Sequence, residues 1–150
     1  MKKILFIALM AIFAMPSMAQ IQISKQKSQA EIVTKFRGGT QTLAHSEDSG
    51  YSLWLKTDNQ FDEVFTINLG DDEDAAIESI DGLLYLINNS QKGDTTAFND
   101  NAGVETFVTF DIFMGGKVLW FARDSYAGNS SITSKELEKL KKDITARKKE

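Results

Sequence analysis

The stretch GDDEDAAIESIDG, residues 70–82, holds six carboxylates in thirteen residues. Carboxylates at this density can bind calcium, share a proton in acid–base catalysis, or crowd the start of a helix. A helix-loop-helix calcium loop needs oxygen ligands at alternating positions, a glycine at the sixth and a glutamate at the twelfth. Counted from Asp71 or Asp72, the fifth position is Ala75 or Ala76 and the sixth is Ala76 or Ile77, so the pattern fails. Asp71, Asp72, Glu73 and Asp74 instead suit a helix N-terminus, whose free N–H groups and positive dipole end favour negative charge. Glu78 and Asp81 continue a solvent-facing stripe, and Gly82, costly inside a helix, marks a close helix–sheet contact. No metal site is assigned.

The single histidine, His45, lies near Ser46, Glu47, Asp48 and Ser49. Ser, His and carboxylate make a hydrolytic triad only when they converge in space beside oxyanion donors, and neighbours in one hairpin loop do not. His45 therefore reads as a residue of a solvated turn. The chain has no Gly-x-Ser-x-Gly elbow, no cysteine and no second histidine for zinc. Hydrolase chemistry survives only as an alternative that pairs His45 with Asp48, or brings Asp62 and Asp111 together by folding. Gly38-Gly39 and Gly115-Gly116 show no phosphate-loop pattern and read as turns. No catalytic residue and no cofactor is assigned.

The aromatic residues carry more information. In VETFVTFDIFMGG, Val104, Val108, Phe110, Ile112 and Met114 share one strand phase, and Phe107, Thr109, Asp111 and Phe113 share the other. Large apolar groups on both phases predict a central strand covered on both sides. The alternative is an exposed platform of Phe107, Phe113 and Trp54 with Asp111 as its polar anchor, of the kind that binds sugars or proteins. Tyr126, in the loop before the last helix, is a further contact candidate.

The elements that must position these groups follow from periodicity. EIVTKFR, TQTLAH, YSLWLKT and FDEVFTINL read as strands separated by turn residues. Ala76, Ile77, Ile80, Leu83, Leu84 and Ile87 then recur at helical spacing and predict a helix over about 72–88. Three more strands follow, TAFN, VETFVTFDIFM and KVLWFAR, the last two joined by Gly115-Gly116 as a two-residue hairpin turn. Thr133 and Glu136 have capping-box spacing, and Leu137, Leu140 and Ile144 form one apolar stripe, so a last helix spans about 134–147. Segregated elements of this order predict an α+β fold, a curved antiparallel sheet of about seven strands, four then three, carrying two helices. The element order also resembles a pleckstrin-homology-like barrel capped by its terminal helix, with the internal helix as an insertion. FRGGTQTLA and FMGGKVLWFA look alike through shared hairpin chemistry rather than through a repeat.

The ends place the protein. Lys2 and Lys3 precede an apolar run of twelve residues, 4–15, followed by Pro16 and the small residues Ser17 and Ala19. This predicts a signal peptide over 1–19 cut between Ala19 and Gln20, since a membrane span needs about 20 apolar residues. Residues 20–29 are a polar lead-in and 30–150 a single globular domain. The formal charge of −4 becomes −6 without Lys2 and Lys3. Residues 135–150 hold seven basic and four acidic side chains, a net +3 that leaves −9 on 20–134. Such a body repels nucleic acid and anionic lipid, while the basic end suits an acidic surface, including the body itself.

The Lys-Lys start and SMAQ cut are similar to leaders of small exported proteins of Bacteroidetes-type bacteria, a Gram-negative group. Asp94-Thr95-Thr96 resembles the O-glycosylation acceptor of the same group, which implies a modified Thr95 in an accessible turn. The reading is a cysteine-free module, periplasmic or secreted, that binds a protein or glycan through its sheet without catalysis. The alternative to it, beside a hydrolase, is an inhibitor or immunity-type protein acting through its acidic body.

Overall fold

The computed structural model describes residues 30–37, 40–56, 65–123 and 131–149. The leader with Ala19 and Gln20, the lead-in, the Gly38-Gly39 turn, Asp62 and Tyr126 lie outside the described residues.

Four strands, β1 (Glu31–Phe36), β2 (Gln41–Ser46), β3 (Gly50–Leu55) and β4 (Phe65–Gly70), pair in sequence order as one antiparallel sheet. Helix α1 (Glu73–Asn89) follows. A second antiparallel sheet holds β5 (Thr95–Asn99), β6 (Glu105–Phe113), β7 (Gly116–Ala122) and β8 (Ser131–Thr133), again in sequence order, and α2 (Ser134–Arg147) ends the chain. The fold is α+β with antiparallel sheets. It corrects the sequence expectation in two respects: the described residues form eight strands in two sheets rather than about seven in one, and no barrel closes among them. Strand β8 escapes pattern reading because it has three residues with one apolar side chain, Ile132. The division into two sheets escapes it because alternation marks which face a strand buries, not which strand it pairs with. The look-alike segments FRGGTQTLA and FMGGKVLWFA fall in different places, one in β1–β2 and the other in β6–β7, so they are not a repeat of one position.

Alternation decides which faces meet. Leu43 pairs with Leu53, Leu53 with Ile67 and Leu55 with Phe65 on the inner face of the first sheet. Val108 pairs with Phe121 and Phe110 with Leu119 on that of the second. These residues join Ala76, Ile80, Leu83 and Ile87 of α1 and Leu137, Leu140 and Ile144 of α2 in one hydrophobic cluster. Two sheets and two helices therefore share a core, which compensates for the missing disulfides.

The acidic stretch is a helix entry. Asp72 is the N-cap, its Oδ1 accepting the Ala75 amide at 2.8 Å, and Glu73 accepts the Tyr51 hydroxyl at 2.9 Å. A backbone hydrogen bond and that hydroxyl hold the Glu73 carboxyl below the usual range. Gly50 permits the strand ends to meet before the helix: a Cβ there would lie 2.2 Å from the Gly70 carbonyl oxygen. The basic end docks on the acidic body. Lys141 pairs with Asp81 at 2.6 Å, Lys148 with Asp74, and Arg147 with Glu31 at 2.8 Å. At the start of α2 the capping box is complete, with Thr133 Oγ1 accepting the Glu136 amide and Glu136 Oε2 accepting the Thr133 amide.

Candidate interaction surface

The register of β6 splits its side chains. Val108 and Phe110 enter the core, while Phe107, Asp111 and Phe113 point to the outer face of the second sheet. Phe107 is 37% exposed and Phe113 53%. The strand is thus not covered on both sides as its composition suggests. Phe113 meets Trp120 of β7 edge to face, the ring centroids 6.2 Å apart and the planes at 85°. Thr109 lies opposite Trp120 on β7 and opposite Thr95 on β5, where the two threonine hydroxyls are 2.9 Å apart. Thr95 is exposed, and it opens strand β5 rather than sitting in a turn.

The hairpin end is the most unusual feature of this face. The turn residues between β6 and β7 are Met114 and Gly115, with φ of 50° and 77°, one position earlier than the expected Gly115-Gly116 pair. Two positive φ values in succession follow the twist of the flanking strands, as primed hairpin turns do. Glycine adopts them freely. A methionine does so at a cost of about 1–2 kcal/mol. Met114 is 93% exposed, and Ile112, in phase with the core, is still 50% exposed because the hairpin runs past the packed layer. Ile112, Phe113 and Met114 thus present apolar groups on both faces and at the tip. Sequence reading missed Ile112 and Met114 as exposed residues and the half-buried Trp120 as the ring that Phe113 meets. Placing the turn one residue earlier would have found Met114.

Asp111 is engaged already. Its Oδ1 accepts the Ile112 amide at 2.7 Å and lies 3.1 Å from Lys92 Nζ. These contacts, the backbone one first, hold its carboxyl below the usual range, so it is ionised at neutral pH and a poor proton donor. Trp54 stands apart: it is half-buried on the outer face of the first sheet, beside Thr42 and Thr66, with Nε1 donating to Ser52 Oγ at 2.9 Å. It makes no ring contact with Phe107 or Phe113 among the described residues.

His45 is a strand residue, not a turn residue. It lies in β2 opposite Tyr51, the ring centroids 4.5 Å apart. In the adjoining turn the Asp48 amide donates to Ser46 Oγ. Asp111 belongs to the other sheet. Among the described residues no group of three or more His, Asp or Glu side chains is placed to hold a metal ion, and no helix is long and apolar enough to cross a membrane.

No protein-family model, no curated protein and no solved structure matches this chain.

Proposed function

We propose that this protein is a small exported interaction module that engages a protein partner through the outer face and tip of the β6–β7 hairpin. The observation that carries the reading is Met114, held at φ 50° and 93% exposed between Ile112 and Phe113. The hairpin turn needs the positive φ, but glycine would supply it without strain, so an exposed methionine there costs stability that the turn does not require, which is the pattern of a functional surface. Burying a side chain such as Ile, Phe or Met is worth about 1.5–3 kcal/mol each, enough for a few residues to dominate an interface.

A protein is favoured over a glycan. Phe113 and Trp120 stand at 85° and so form no flat platform of two ring faces for a sugar. Methionine and isoleucine add adaptable aliphatic contact suited to a protein surface. Export rests on the charged, apolar and small-residue order of the leader. The test replaces Trp54, Phe107, Phe113 and Met114 singly by alanine and compares partner recovery with thermal stability. Phe113→Ala and Met114→Ala should lose the partner while remaining folded, and Trp54→Ala should retain it. Loss of folding at both hairpin positions would make them core and remove the surface. Recovery that instead collapses uniformly with added salt would favour the acidic body as the contact.

A further inference from the structure

A separate concavity of about 230 Å³ lies between α1, the end of β4 and the β5–β6 turn. Ile67, Leu83, Leu86 and Phe98 form its apolar walls, and Ser79, Asp100 and Asn101 its polar end. Gly82 stands at its lip. Contrary to the close helix–sheet contact expected there, a Cβ on Gly82 would meet nothing within 4 Å. A glycine in a helix interior costs about 1 kcal/mol relative to alanine. Here neither tight packing nor a special backbone angle explains it. It leaves open space at the border of the cleft that a larger side chain would enter.

Three observations define what fits. First, size: an apolar cavity of about 150 Å³ takes up benzene, so this one admits a ring or short branched body with a small polar end. Second, the edge of β4 that borders the cleft is already hydrogen-bonded at Asn68 and Leu69. The Asn68 amide donates to Asp100 Oδ2 at 3.1 Å and the Asn68 carbonyl accepts the Asn101 amide at 3.2 Å. The Leu69 carbonyl accepts Ser79 Oγ at 2.6 Å and also Asn101 Nδ2. An extended peptide would find the backbone groups of Asn68 and Leu69 beside the cleft already taken. Third, the lining includes no Lys, Arg or His, and its one carboxylate, Asp100, is matched by Arg123 at 2.8 Å. An anion would meet no counter-charge, and the acidic body would repel it. Asn101 uses its amide nitrogen on Leu69 and on Ser79 Oγ at 3.0 Å, which leaves its side-chain oxygen to accept from a ligand.

We infer that this cleft binds a small uncharged molecule with an aromatic or short branched apolar body and one hydroxyl or amide end. The body sits on Leu83, Leu86 and Phe98, and the polar end donates to Asn101. The site is independent of the hairpin surface.

Methyl NMR of the full chain titrated with benzyl alcohol tests this. Saturable shifts are expected at Leu83, Leu86 and Ile67 and not at Ile144. Gly82→Leu should abolish them. Gly82→Ala, which strengthens the helix and adds one methyl at the lip, should weaken them, and Phe113→Ala should leave them unchanged. Benzoate, with the same ring and a negative charge, should bind at least about tenfold more weakly, a difference of about 1.4 kcal/mol. Shifts that never saturate, that persist unweakened in both Gly82 variants, or that benzoate reproduces at equal strength would overturn the assignment.

Discussion

Arg123 donates from Nη2 to Asp100 Oδ2 at 2.8 Å, joining the end of β7 to the β5–β6 turn inside a site where the Asp100 side chain is only 2% exposed. The same carboxylate accepts the amides of Asn68, Ala102 and Val104, and the guanidinium lies 4.6 Å above the Phe65 ring. One ion pair thereby ties the second sheet to the last strand of the first. Its partners sit beside both the cleft and the shared core.

Removing one member of such a pair leaves a buried charge unmatched, at a cost of about 3–5 kcal/mol. Arg123→Met and Asp100→Ala should each lower urea stability by about that amount. The double variant should lose clearly less than the sum, because the two share one interaction.

Met114→Gly should stabilise the protein by about 1 kcal/mol, since glycine adopts the left-handed angle without penalty. Thermal unfolding checks this. The same variant should bind the partner more weakly, so stability and binding move in opposite directions at one residue.

Gly82→Ala should also stabilise, by about 1 kcal/mol, because the new methyl enters open space within a helix. A loss of stability in urea unfolding would mean that the glycine serves packing after all.

Asp143 makes stability depend on pH. Burial pushes its carboxyl up, but hydrogen bonds from Lys139 at 2.8 Å and Thr34 at 2.6 Å more than offset this, and the folded value lies below the ordinary 3.8. The unfolded chain thus takes up the proton more readily. The contribution is present in full above 3.8 and is lost as pH falls through the lowered folded value. Urea midpoints of the wild type should drop on acidification below about pH 4, and Asp143→Asn should show a shallower drop.

How much was legible varies with the range of the interaction. The helix beginning after Asp72 and the capping box at Thr133 and Glu136 are local patterns, and the structure has them where their spacing predicts. Strand phase separates Val108 and Phe110 from Phe107 and Phe113, yet composition could not tell whether a second layer covers the latter pair. That depends on whether any element packs on the outer face, and α1 and α2 pack on the inner one. The Gly115-Gly116 pair points to a turn one residue too late because Met114 takes a glycine-like conformation. Asp100 reads as an ordinary turn residue in NDNAG, and its partner Arg123 is 23 positions away, so nothing local announces the ion pair. Gly82 was legible as an anomaly but not in its sense, since a contact and a void leave the same mark on a sequence.

A protein partner at the β6–β7 tip would lie within reach of residue 114. A photo-crosslinking residue placed at position 114, compared with one at the exposed Tyr85 on α1, tests this contact most directly in cells that make the full chain. A discrete crosslinked protein from position 114, lost on adding Phe113→Ala, with none from position 85, is the predicted result. Equal crosslinking from both positions, or none from position 114 in folded protein, would contradict the account.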